Sequence, residues 1–234
     1  MIEEGLTLQR LSVCVLCLAM ALLVFGTASA TELSSEFQAF IAAFPPGKDV
    51  RPYDKELSPE LREHAHPTLI AFWREVGIGS FGNGFLVLLD PEEYQSALAR
   101  WLPLKQPDPS RIPFARTAFG DLIYFRDLRQ RARTQGLPGD WESASDVAFL
   151  SIHYRSNAVI THSMKGFFAQ DLNTFLKARK QSLYELFRTM NPQPLARNQC
   201  FYFVPALVLG GTAGKDSISS GNCLVHHEIL LGFH

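Results

Sequence analysis

The sequence predicts an α+β fold, a mixed, mostly antiparallel sheet flanked by helices in a single globular domain behind an N-terminal leader. Three observations predict it. Helical and strand patterns alternate in an irregular order, hairpin-type turns outnumber helical crossovers, and no repeat or low-complexity tract divides the chain. At 234 residues, 47% hydrophobic and 12% aromatic, the chain can fill a core without metal or disulfide staples. Charged residues are 19% of the total and the formal net charge is −1, so nothing in the balance points to nucleic acid or an anionic membrane as partner.

Residues 1–30 are set apart from the fold. Residues 11–25 are apolar except Ser12, and Ala28-Ser29-Ala30 is a small-x-small cleavage pattern. That combination predicts a secretory signal peptide and a periplasmic protein. Glu3 and Glu4 against a lone Arg10 make an atypical start. An uncleaved inner-membrane anchor, or a miscalled start codon on a cytoplasmic protein, are the alternatives. Membrane contact is expected only through this segment if it stays uncleaved. Loss of residues 1–30 leaves a formally neutral chain whose remaining cysteines, Cys200 and Cys223, are the pair available for a disulfide. The plainer alternative is two small buried hydrophobes.

The elements follow in order. Ser34 or Ser35 caps a short helix through Phe44, stopped by Pro45-Pro46-Gly47. Ser58-Pro59-Glu60 starts a second helix. Pro67 starts a third, with Leu69, Phe72, Trp73 and Val76 as its apolar stripe. Residues 85–89 read as a buried strand, and Asp90-Pro91-Glu92-Glu93 opens a helix to Trp101. Residues 114–119 and 122–125 form a hairpin around Gly120-Asp121. Residues 126–146 read as a surface loop and 147–162 as a second hairpin. A long amphipathic helix is expected over 171–190, a central strand over 201–209, a flexible turn over 210–222, and a strand or short helix over 224–233.

Several motifs look chemical. Gly77-Ile78-Gly79-Ser80-Phe81-Gly82 matches G-x-G-x-x-G, but a helix precedes it and a strand follows, the reverse of a dinucleotide site. Gly210-Gly211-Thr212-Ala213-Gly214-Lys215 lacks the P-loop spacing and hydroxyl. His227-Glu228 lacks the second histidine of a zinc protease, and His64-Ala65-His66 cannot chelate from one helix face. Neither cofactor nor metal is expected. A triad assembled in space, using His153 or His162 with Asp121, keeps an exported hydrolase as an alternative. Arg126, Arg129, Arg131 and Arg133 make a basic segment suited to docking an acidic partner.

Four segments in order resemble a known family. They are Phe72-Trp73-Arg74-Glu75-Val76-Gly77-Ile78-Gly79-Ser80-Phe81-Gly82-Asn83-Gly84 leading into Asp90-Pro91-Glu92-Glu93-Tyr94, then Phe114-Ala115-Arg116-Thr117-Ala118-Phe119-Gly120-Asp121, then Leu150-Ser151-Ile152-His153-Tyr154, then residues 200–211. Together they resemble the GAD-like family, with a C-terminal region like that of type VI secretion DNase immunity proteins. The resemblance implies a GAD-like region over 31–125 and an immunity-type region over 126–234, packed as one unit. It also implies no catalysis, no cofactor, and inhibition of a cognate toxin protein encoded nearby. An export signal would redirect that partner to a toxin acting on wall or membrane. Function is therefore expected to be toxin neutralisation, with an exported hydrolase or an envelope ligand-binding module as alternatives. Partner contacts are expected at Ser80, Phe81 and Asn83 and at Arg126, Arg129, Arg131 and Arg133, on loops held by the frame.

Overall fold

Local signals set the first helices. Proline at the first helical position and an oxygen or ring nitrogen before it recur three times in the computed structural model, which describes residues 33–178, 181–190 and 195–233. After α1 (Ser35–Ala43), Ser58 caps α2 (Pro59–His64) by accepting from Leu61 N at 3.4 Å. His66 caps α3 (Pro67–Glu75) by accepting from Thr68 N at 3.1 Å. Asp90 caps α4 (Pro91–Trp101) by accepting from Glu92 N at 3.0 Å. Each pair satisfies an end donor that the helix cannot, while proline lacks the donor altogether. The leader assigned to residues 1–30 lies outside the described residues. Among those residues no helix is long and apolar enough to cross a membrane.

Six strands form one sheet in chain order: β1 (Gly79–Phe81), β2 (Leu86–Leu88), β3 (Arg111–Thr117), β4 (Leu122–Asp127), β5 (Ser145–Ser151) and β6 (Ser156–Thr161). Every pairing is antiparallel, so the sheet is purely antiparallel rather than mixed. Gly120, with φ +80°, turns β3 into β4. Pro113 sits at the register shift between those strands, where a missing donor does least harm.

Period-two alternation gives the sheet two buried faces. On one, Leu86, Leu88, Ile123, Phe125, Val147 and Phe149 meet α1, α3 and the turns after β6. Phe72 lies at the centre of that layer, edge-on to Phe37 and Phe40 and stacked at 4.1 Å on Phe168. On the other face, Val87, Leu122, Tyr124, Ala148 and Leu150 pack against Tyr94, Ala97 and Leu98 of α4. Residues from Leu33 onward form one compact unit. The sheet runs on through residue 126 without a break, β4 lying on both sides of it.

Elsewhere the structure departs from the sequence expectations. The segment 126–146 is not a loop: β4 extends to Asp127, α5 (Arg129–Thr134) follows, and β5 starts at Ser145. The expected long helix is divided. A short helical turn, α6 (Met164–Gly166), passes through a π-helical turn at Phe167–Asp171 into α7 (Leu172–Lys177), and α8 (Gln181–Met190) is separate. The apolar run 201–209 is not a central strand. Among the described residues β7 (Gln199–Phe203) pairs only with β8 (Ile218–Asn222), in a two-stranded sheet, and residues after Phe203 turn outward. One backbone bond, Phe201 N to Ala118 O at 2.7 Å, ties β7 to the β3–β4 turn. The C-terminal segment is a helix, α9 (Cys223–Leu231), capped by Asn222 accepting from Val225 N at 3.1 Å.

Candidate functional site: an apolar face on the C-terminal elements

The glycine-rich turn between β1 and β2 borders two adjoining clefts of about 500 and 440 Å³ that share Pro45, Asn83 and Arg188. Asn83 is exposed at φ 58°, and its carbonyl accepts from the Tyr184 hydroxyl at 2.5 Å. Ser80 donates through N and Oγ to Asp49 at 3.1 and 2.9 Å. Phe81 cannot meet a partner. It is wholly buried against Phe40, because consecutive strand residues point to opposite sides. The glycines turn the chain and face Arg51, Val50 and Phe44 at close range, which explains the repeated glycine.

The arginine segment is mostly engaged internally. Arg126 makes a bidentate pair with buried Asp146 across β4 and β5. Arg129 makes another with Asp127, at 3.0 and 2.8 Å, and lies 3.3 Å over the Trp141 ring. His64 adds a 2.8 Å contact to the same carboxylate. That carboxylate is held below its ordinary range by these bonds against the opposing effect of burial. Arg133 donates to the Gly139 carbonyl at 3.2 Å. Arg126 and Arg129 are thus tied into the frame and only partly exposed, while Arg131 points from α5 into solvent.

A buried polar centre lies between the sheet and α4 and α9. Trp101 Nε1 donates to His227 Nδ1 at 3.0 Å, so the ring proton sits on Nε2, which donates to the Gly120 carbonyl at 3.0 Å. Both ring nitrogens are thus engaged. Asp121, wholly buried, accepts from Ser151 Oγ at 2.9 Å and Ile152 N at 3.1 Å. His153 Nε2 donates to the Phe119 carbonyl at 2.8 Å, and His162 is exposed just beyond β6. Arg116, also wholly buried, donates to the carbonyls of Thr117, Arg197 and Gln199. Cys200 and Cys223 are free thiols, buried side by side beneath Gly120. Among the described residues no group of three or more His, Cys, Asp or Glu side chains is placed to hold a metal ion.

The outer surface of the same region is apolar. Val204, Val208 and Leu209 follow β7, and Leu224, Val225 and Ile229 lie on the outer side of α9; all six are at least 37% exposed. Between the two rows runs a cleft of about 310 Å³, lined by Tyr202, Val204, Leu209, Val225 and Ile229 among others. Its wall includes His226, stacked on Tyr202 at 4.4 Å. Burial, with His153 and His227 nearby, lowers the His226 pKa to about 3. The ring is neutral at physiological pH, and its buried Nε2 has no hydrogen-bond partner. The face is therefore uncharged along its wall, and it exposes aliphatic side chains in a cluster rather than singly.

The sequence reads residues 201–209 as a central strand and residues 224–233 as a strand or short helix, and neither pattern marks them as an exposed face. A signal was available: residues 223–231 carry apolar side chains on all sides of a helical wheel, so a solvent-facing helix there must expose some of them.

Strands β1–β4, with α1 to α5 around them, are the part that a known family model covers. Residues 35–134 match the GAD-like domain. Four of the six strands fall in that domain, and the apolar face lies beyond it. The crystal structure of Atu4351 from Agrobacterium tumefaciens is similar, with a TM-score of 0.58 over 83% of this chain and 88% of that one. At 14% identity the likeness is one of fold. No curated protein matches the sequence.

Proposed function

We propose that this chain is an immunity protein that binds and neutralises a cognate bacterial toxin of the type VI secretion kind, meeting it in the periplasm. The exposed apolar face carried by residues 204–209 and α9 is the observation that carries the proposal. Soluble monomers rarely leave clustered aliphatic side chains in water, and such clusters mark macromolecular contacts. The order of the four family-like segments, whose last two resemble the C-terminal region of immunity proteins, suits the same function. The polar groups that could have served catalysis hold carbonyls and amides of the frame instead. An interface of standard size covers roughly 800 Å² per partner. The face therefore supplies the centre of a contact whose rim would include polar neighbours such as Glu228 and Asn222.

Co-expression tests it. The open reading frame beside this gene is expressed in the periplasm with and without this protein. Rescue of growth together with co-purification of the two chains is the expected outcome. A neighbour that is harmless, or equally toxic in both arms, rejects the proposal.

A further inference from the structure

We infer that Cys200 and Cys223 are a redox couple, a buried dithiol that closes to an intramolecular disulfide joining β7 to α9. The inference is independent of toxin neutralisation.

The backbone brings the thiols together. Cys200 is in β7 opposite Gly221 of β8, and Cys223 follows two residues later as the first residue of α9. Its amide donates back to Asn198 O at 2.8 Å, which holds the helix start against the β7 approach. Both side chains are wholly buried. A Cβ on Gly120 would lie 3.1 Å from the Cys223 sulfur and 3.2 Å from that of Cys200. The two sulfurs therefore share one pocket, and glycine is the residue that leaves them room.

The surroundings favour a thiolate at one of them. Arg116 is a wholly buried cation that bonds three backbone carbonyls and the Tyr94 side chain, and its Nε has no partner among the described residues. The groups near it that can become anionic are Cys223, Tyr94 and Cys200. Cys223 also stands at the N-terminus of a nine-residue helix, where unpaired amides favour negative charge. The Cys200 thiol donates to Cys223, which lowers the second pKa and raises the first; Arg116 reinforces the lowering. Cys223 is the nucleophile and Cys200 the resolving thiol. Asn222 and Leu224, the residues on either side of Cys223, line a cleft of about 250 Å³ together with Tyr94, Arg197 and Asn198.

The oxidant is a small disulfide or an oxidised dithiol protein of the compartment. The Cys223 thiolate attacks one sulfur of RSSR, the S–S bond breaks, and RS⁻ leaves. Cys200 then attacks the Cys223 sulfur of the mixed disulfide, and its proton leaves with the second RS⁻. The net change is two protein thiols and RSSR giving one protein disulfide and two RSH.

The experiment uses the full chain, folded, in buffers of set reduced to oxidised glutathione ratio, followed by acid quench, alkylation and tryptic mapping. Cleavage after Arg197 and Lys215 places the two cysteines on separate peptides, 198–215 and 216–234, away from Cys14 and Cys17. The linked peptide pair should appear in a single transition as the ratio becomes oxidising and vanish on reduction. In Cys200→Ser, glutathione should accumulate on Cys223 about tenfold faster than on Cys200 in Cys223→Ser, because the thiolate is the attacking form. Two alkylated cysteines at every ratio would overturn the inference. Equal adduct rates in the two variants would overturn the assignment of the nucleophile.

Discussion

Replacing Gly120 by alanine separates two costs that usually arrive together. Gly120 holds φ +80°, and a Cβ there would lie 3.0 Å from Ile152 Cδ1, 3.1 Å from the Cys223 sulfur and 3.2 Å from the Cys200 sulfur. Left-handed backbone costs an L-residue roughly 1–2 kcal/mol. Overpacking against buried atoms adds roughly 1–3 kcal/mol. Gly136 is the control: it holds φ +69° with nothing within 4 Å of the same position, so alanine there meets the backbone cost alone. Part of that cost is offset by about 0.4–1 kcal/mol of unfolded-state entropy in both variants. Urea unfolding under reductant should therefore show Gly120→Ala less stable than Gly136→Ala by about 1–3 kcal/mol, the packing difference. The three neighbours belong to a segment after β5, β7 and α9, so relief would need movement in separate elements. If the two variants agree within about 0.5 kcal/mol, the sulfur pocket is not tight and the packing account fails.

The remaining predictions concern the surface and the imidazoles. Val225→Asp with Ile229→Asp should change stability by less than about 0.5 kcal/mol, since both residues are more than half exposed. The same pair should weaken toxin binding by about 2–4 kcal/mol, roughly 30- to 1,000-fold, by calorimetry; undiminished affinity removes the apolar face as the contact. Arg131→Glu, on exposed α5, should leave neutralisation intact, and a loss of tenfold or more would return the docking surface to the arginine segment. Burial lowers the pKa of His226 to about 3 and that of His66 to about 4, whereas the unfolded chain binds these protons near 6.5. The unfolded state thus holds more protons between those values, so stability is full above about pH 6.5 and falls as pH drops toward 4 and 3. His226→Phe should flatten that acid limb by up to about 1.4 kcal/mol per pH unit, and an unchanged slope refutes the buried neutral ring.

Much of the frame could be read from short-range chemistry. Ser58-Pro59 and Asp90-Pro91 announce helix starts because the cap and the proline act within three residues of each other. Gly120-Asp121 announces the β3–β4 turn for the same reason. Helix α5 could not be read that way. It buries only Ala132 among its residues, so no apolar stripe betrays it, and Arg129 is fixed by the Trp141 ring, the Asp127 carboxylate and the Glu63 carbonyl. The run 201–209 misled in the opposite sense. Apolar composition reports a preference for burial, but only a second layer can satisfy it, and none among the described residues covers Val204, Val208 or Leu209.

The same limit governs the site. Arg126 and Arg129 share a basic segment with Arg131, yet their roles are decided by Asp146, twenty residues on, and by Trp141. A row of like residues in sequence is a row of different environments in space. Phe81 shows it at a single step, since Ser80 reaches the surface and its neighbour is the core. A small set of charged and ring groups is turned inward to hold carbonyls and amides of the frame, as Arg116, Asp121, His153 and His227 do. A sheet so pinned keeps β7 and α9 in place without an apolar layer over them. Aliphatic side chains on a pinned support lose little further freedom on binding, and that loss is a main cost of association. An outward apolar face on a rigid frame is thus suited to hold one partner tightly, which is the demand that neutralising a toxin makes.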